Sequence, residues 1–235
     1  MLEQMDINGQ EALLSASVLI IGMGGLGSPV AMYLAAAGVG HLLLADMDVV
    51  DLTNLQRQIV HRNDSIGMSK VESAAMMLSS LNPETRITRL EEKLCGDSLL
   101  AAVRSSDLVL DCTDNFQTRL EINKACVSLK KPLVSGAAIR MEGQVGVFDT
   151  TDSESPCYQC LYKAGNEDDF SCARNGVMAP VVGIIGTIQA MEAIKMIANV
   201  GKSLKNRMLF LDAGTMQFRE MQLKRDPECP VCSNR

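Results

Sequence analysis

The sequence predicts an α/β fold in which a mixed, mostly parallel sheet is flanked by helices and finished by antiparallel strands. Three observations carry this. Short apolar runs alternate with helical stretches from "SVLIIG" onward. The first of those runs passes into a glycine-rich turn that opens a helix. Near the C-terminus, "RMLFLDAG" and "QFREMQL" read as two strands joined by a turn. Alternation of strand and helix implies parallel pairing, whereas a short turn between strands implies antiparallel pairing.

Taken in order, "SVLIIG" (17–22) is a buried strand ending in glycine. A helix from about Ser28 to Ala37 follows, with Pro29 in the first turn, where its missing N–H costs nothing. "HLLLAD" is the next buried strand and completes a strand–helix–strand unit. Ser69 to Leu81 reads as a helix closed by Asn82-Pro83, and "RITRL" as a strand. "DLVLDC" (107–112) is a buried strand ending in polar "TDN", and Asn115 to Leu129 is a helix. "PLVSGAAI" and "GQVGVF" are strands, and Ala179 to Ala198 is a long helix, apolar on most faces and so buried. Residues 163–175, "KAGNEDDFSCARN", are polar and unpatterned and read as a loop. One domain over 1–235 is expected, in two halves, 1–135 and 136–235.

Bulk composition excludes several classes. Net charge is −6, which opposes a nucleic-acid surface. The N-terminus lacks a basic flank and an apolar signal core, and no apolar run is read as reaching the ~18 residues of a membrane span. A cytoplasmic protein with no membrane partner is therefore expected. With 47% hydrophobic residues but only 3% aromatic, the core must be filled by Leu, Ile, Val and the 15 Met.

Gly22, Gly24 and Gly27 match G-x-G-x-x-G, with Gly25 a fourth glycine. After a strand and before a helix, this pattern lets the backbone approach phosphate oxygens while the helix N-terminus supplies N–H donors. It fits a mononucleotide or a dinucleotide, and also mere tight packing of a turn. Asp46, ending the second strand, is placed for ribose hydroxyls. The polar "NLQRQ" that follows distinguishes the ligands. An NAD pyrophosphate carries little charge, whereas a triphosphate carries about −4 and calls for cations. Arg57, Lys70 at the opening of the next helix, and Asp114 in "DCTDN" supply two cations and an acid at the same sheet edge. That set fits ATP with Mg2+, with Asp114 on the metal side.

Four of the eight cysteines form two C-x-x-C pairs, Cys157/Cys160 and Cys229/Cys232. Four thiolates close a tetrahedral structural zinc site, a zinc knuckle, with redox pairs as the other reading. Cys95, Cys112 and Cys126 sit in apolar or helical settings and read as inert. Cys172 lies in the polar loop near Arg174 and is either a reactive thiolate or an ordinary loop thiol.

In order, "GMGGLG", "DMDVVDLTNLQRQ", "GMSKVES", "DCTDN", "SGAAIRMEGQ", "CYQC", "GVMAPVVGIIGTIQAMEAIK" and "CPVC" resemble the HesA/MoeB/ThiF family, bacterial relatives of ubiquitin-activating enzymes. "SGAAIRMEGQ" and "MQFREMQLKRDPECPVC" look closer to its MoeB-type branch. The resemblance implies a Rossmann-like adenylyltransferase. Such an enzyme activates the C-terminal Gly-Gly carboxylate of a ubiquitin-fold sulfur-carrier protein as an acyl-adenylate, releasing pyrophosphate. The carrier would be of the molybdopterin synthase small-subunit type, or that of thiamine synthesis.

By the same resemblance Asp46 contacts ribose, Asn54, Arg57 and Lys70 contact phosphates, Asp114 faces Mg2+, and the paired cysteines hold zinc. Gln58 and Asn115 join the nucleotide-binding set with Gly22, Gly24, Gly25 and Gly27. Cys172 matches a loop cysteine that some members link to the carrier. The resemblance also implies a homodimer and a separate sulfur donor protein. Members carry an arginine-bearing segment ahead of the stretch matching "GQEALL", which reaches the partner subunit's ATP; here "MLEQMDIN" precedes it, so either this start is internal to a longer chain, or adenylation is weaker, or another cation substitutes. Two readings of other classes stand beside this one: an NAD-dependent oxidoreductase on the same glycine turn, and a non-catalytic module that docks a ubiquitin-fold protein.

Overall fold

A computed structural model describes residues 5–162 and 176–233. Its strands are β1 (Ser17–Ile21), β2 (His41–Ala45), β3 (Arg86–Leu90), β4 (Leu108–Asp111), β5 (Leu133–Ile139), β6 (Glu142–Phe148), β7 (Arg207–Asp212) and β8 (Gln217–Gln222). They join one sheet of order β3-β2-β1-β4-β5-β6-β7-β8. The pairs from β3 through β5 are parallel, and those from β5 to β8 are antiparallel. The chain winds outward from β1 through β2 to β3, then returns to place β4 on the other side of β1. The carboxyl ends of β1 and β4 therefore flank the point where winding reverses, where open α/β sheets hold ligands.

Alternation along the strands divides the core. Val18, Ile20, Leu42 and Leu44 face one side with α1 (Asp6–Ser15), α2 (Gly27–Ala36), α3 (Lys70–Leu81) and the long helix Ala179–Ala198. Leu19, Ile21, Leu43, Ala45 and Val109 face the other with α4 (Gly96–Arg104) and α5 (Phe116–Leu129). Both faces of β1, β2 and β4 are covered, so these runs are mostly apolar rather than alternating with polar residues. Fully buried side chains such as Leu42 and Leu44 each contribute about 1.5–3 kcal/mol. Every position of β8 is exposed, and Arg219 and Glu220 keep this sheet edge charged.

The expected strands and helices are present, and among the described residues three α-helices add to them. In α1 only Gly9 and Leu13 are buried, which leaves little periodic signal. In α4 the buried Leu99, Ala102 and Val103 follow the i, i+3, i+4 spacing, so its signal lies in the sequence. The one-turn helix α6 (Tyr158–Leu161) is too short to leave one. Helix α7 (Ala179–Ala198) corrects the reading of apolar runs: by length and composition its 20 residues suffice to cross a membrane. Here it packs on β5, β6 and α2, with Val181, Ile185, Gln189 and Ala193 buried. The loop 163–175, with Cys172, lies outside the described residues.

Candidate active site

The turn after β1 is shaped by two glycines. Gly22 has φ +96°, and a Cβ there would stand 2.7 Å from the Cys112 carbonyl oxygen. A Cβ on Gly27 would meet the Gly22 carbonyl oxygen at 1.9 Å. Any side chain at either position would push the turn off β4 or the helix off the turn. Gly27 thus serves packing, while Gly22, Gly24 and Gly25 line a crevice of about 470 Å3 at the switch point.

Asp46 follows β2 and lines the same crevice. Its Oδ2 accepts from the Met23 N–H at 2.7 Å, and its Oδ1 accepts from the Asp48 N–H at 2.9 Å. Backbone donors on both oxygens fix the carboxylate and leave lone pairs open toward the crevice. Lys70, the first residue of α3, is only 5% exposed, and its ammonium donates to Asp48 Oδ2 at 2.7 Å. Arg57 is half-buried on the crevice wall, held by a 3.3 Å bond from Nη1 to the Thr53 carbonyl. Gln58 is buried beside Gly24, and its Oε1 has no hydrogen-bond partner among the described residues. An orphaned buried acceptor on a crevice wall suits a ligand that brings a donor.

Opposite, Asp114 is exposed to the crevice just past β4. The turn bearing it rests on a buried network. The Asp111 carboxylate accepts from Ser135 Oγ at 2.6 Å, Thr113 Oγ1 at 2.7 Å and Thr113 N at 3.0 Å. The buried Arg119 donates to the Thr113 carbonyl at 2.7 Å, with its Nε 3.9 Å from Asp111 Oδ2. Gln189 of α7 donates to the Asp111 carbonyl at 2.8 Å. Burial pushes the Cys112 thiol well above its usual range, so it is an inert part of this floor.

Of the residues expected at a nucleotide site, Gly22, Gly24, Gly25, Asp46, Arg57, Gln58, Lys70, Asp114 and Asn115 line the crevice. Asn115 does so while its Oδ1 caps α5, accepting from the Thr118 N–H at 2.9 Å. Asn54 does not line the crevice; its amide donates to Thr53 Oγ1 at 3.2 Å. The sequence reading missed Lys93 and Glu92, on the β3–α4 loop, and Arg119 on α5, which also line it. Nothing local distinguishes such loop and helix charges from solvated ones; only the sheet order brings them here.

A second crevice, of about 450 Å3, adjoins the first on the antiparallel part of the sheet and shares Arg119 and Ala138 with it. Gln144, Phe210 and Arg219 line its far side.

The four paired cysteines converge behind α5. Their sulfurs all lie within 4.8 Å of one another, and three of the pairs are at 3.4, 3.6 and 3.9 Å. A tetrahedron with metal–sulfur bonds of about 2.3 Å has edges of about 3.8 Å, so the set fits a four-coordinate metal. The hydrogen bond between the Cys160 and Cys157 sulfurs draws Cys160 down to about 5 against its burial. The buried Asn123 of α5 donates to Cys157 Sγ at 3.6 Å and accepts from Tyr158 N at 2.9 Å.

Both histidines are held toward the neutral form: burial lowers His61, with Lys70 adding to it, and burial with Arg86 lowers His41. The unfolded chain takes up protons near pH 6.5 that the native state refuses. Stability should therefore be whole above about pH 6.5 and decline as the pH drops toward the native pKa values. Urea midpoints measured at about pH 7.5 and about pH 5.5 check this, and equal midpoints would contradict it.

Comparison with known proteins gives consistent results. A profile described as the ThiF family matches residues 1–231. The molybdopterin-synthase adenylyltransferase of Escherichia coli (strain K12) is 51% identical over 231 residues, 98% of this chain and 92% of that protein. The sulfur carrier protein ThiS adenylyltransferase of the same organism is 45% identical over 232 residues, 99% of this chain and 92% of that protein. A crystal structure of E. coli MccB with ATP superposes with a TM-score of 0.86 at 25% identity, covering 97% of this chain and 70% of that one.

Proposed function

Because the chain belongs to the ThiF family, we propose that it is an ATP-dependent adenylyltransferase that activates the C-terminal Gly-Gly carboxylate of a ubiquitin-fold sulfur carrier, of the molybdopterin synthase small-subunit type. The observation that carries this reading is the convergence of Asp46, Arg57, Lys70 and Asp114 from four separate segments on one crevice, with a second crevice opening into it. The E. coli MccB structure with ATP, on the same fold, supports ATP as the nucleotide.

The chemistry asks little of acid–base groups. A carboxylate is ionised at neutral pH and attacks the α-phosphorus directly, so the site must position the two reactants and neutralise developing charge. Asp46 orients the ribose. Lys70 and Arg57 meet phosphate oxygens, with Lys70 exchanging the Asp48 carboxylate for them. Asp114 would hold Mg2+ directly or through water, and that ion would neutralise the departing pyrophosphate. An extended tail lying in the second crevice would pass Arg119 on its way to the α-phosphate. The four-cysteine cluster holds structural zinc, and by the family two copies associate.

Thermal shift provides the first test: ATP with Mg2+ should raise Tm by several degrees and NAD should not, whereas the reverse result would favour an oxidoreductase. Pyrophosphate exchange against a panel of Gly-Gly carriers provides the second. Exchange that depends on the molybdopterin-type carrier is expected, exchange with the thiamine carrier alone would reassign the pathway, and carrier binding without exchange would indicate a non-catalytic module.

A further inference from the structure

His61 ends the polar segment that follows Asp46, and the chemistry above leaves it unused. It is buried and does not line the crevice. Its Nε2 lies 2.9 Å from the Met23 carbonyl oxygen, in the glycine turn. Its Nδ1 lies 2.9 Å from Ser73 Oγ on α3. A carbonyl only accepts, so the ring proton sits on Nε2, and Nδ1 takes a hydrogen bond from the serine hydroxyl.

The next link runs toward the nucleotide crevice. The N–H of the same Met23 donates to Asp46 Oδ2 at 2.7 Å. Met23 is itself fully buried. Its two backbone polar groups are thus held from opposite sides, one by His61 and one by Asp46. Ser73 lies one turn beyond Lys70 on α3, so the imidazole also ties the helix bearing the phosphate cation to the turn beside the ribose acid.

We propose that His61 is a positioning residue for nucleotide selection: it clamps Met23 between α3 and β2 and so holds the Asp46 carboxylate where it can accept from two ribose hydroxyls. The inference rests on the nucleotide reading of the crevice. A histidine with a purely structural role would stabilise the fold without affecting recognition of the ribose, and the two roles are separable by ligand.

The experiment is calorimetric titration of the full chain with ATP·Mg and with 2′,3′-dideoxy-ATP·Mg, which lacks both hydroxyls. Wild-type protein should prefer ATP by at least about tenfold, the usual loss when a charged acceptor is left unpaired. His61→Phe, which keeps the ring but neither hydrogen bond, should reduce that preference to within about twofold while binding dideoxy-ATP like wild type. His61→Gln, with one amide donor and one acceptor, should restore it. A folded His61→Phe protein that retains the full preference would overturn the proposal. Should that variant fail to fold by circular dichroism, Ser73→Ala decides: a preference reduced about threefold supports the clamp, and an unchanged one overturns it. Wild-type protein that binds neither nucleotide would bring down the adenylyltransferase reading and this inference with it. Wild-type selectivity that no variant alters removes the inference alone.

Discussion

Replacing Lys70 with alanine is expected to lower kcat/KM for carrier-dependent ATP–pyrophosphate exchange by about 10³-fold, about 4 kcal/mol of transition-state stabilisation. The size of the effect follows from where the ammonium sits. It is 5% exposed, and a charge in that setting acts through little intervening water. Its resting partner, Asp48, is a side chain 55% exposed, so removing the lysine strands no buried carboxylate. The fold should therefore survive, with Tm within a few degrees of wild type. Lys70→Arg should not rescue activity, because the larger guanidinium must enter a space that holds an ammonium 2.7 Å from Asp48. Exchange by Lys70→Ala within about threefold of wild type would remove the lysine from the phosphate site.

Stripping metal from the four-cysteine cluster should lower Tm by about 10 °C or more, since a structural zinc contributes its binding free energy to folding. The cluster is the fastening of the C-terminal segment. Cys157, Cys229 and Cys232 are fully buried against Val127 of α5, and Arg225 donates to the Cys232 carbonyl at 2.7 Å. Four thiols packed this closely without metal would be a liability, because protonated sulfurs in that volume give up coordination and gain only weak hydrogen bonds. Cys229→Ser should reproduce most of the loss. Elemental analysis should find one zinc per chain. A chelated protein with an unshifted melting curve, or one purified without metal, would refute the assignment.

Much of this molecule is legible along the chain. The strands "SVLIIG", "HLLLAD" and "DLVLDC" are recognisable because burial on both faces makes them largely apolar, and each ends at a glycine turn or where polarity resumes. Gly22 and Gly27 are recognisable because a backbone that must touch backbone admits no side chain. The cysteine pairs are recognisable because a tetrahedral ion needs four soft donors wherever they come from. Less legible were α1, whose buried face is two residues, and the membrane-like apolarity of α7, whose surroundings are other helices and the sheet.

Local pattern thus determined most secondary elements, the glycine turn, Asp46 and the four thiols, since each of these is dictated by neighbours in sequence. Tertiary structure alone decided the rest: that β4 returns beside β1, that Arg119 and Lys93 reach the same crevice as Lys70, that Asn54 lies off it, and that His61 sits behind Met23. The physical reason is that a side chain's role at a site depends on what stands across from it, and what stands across is set by strand order and by contacts between segments far apart in the chain.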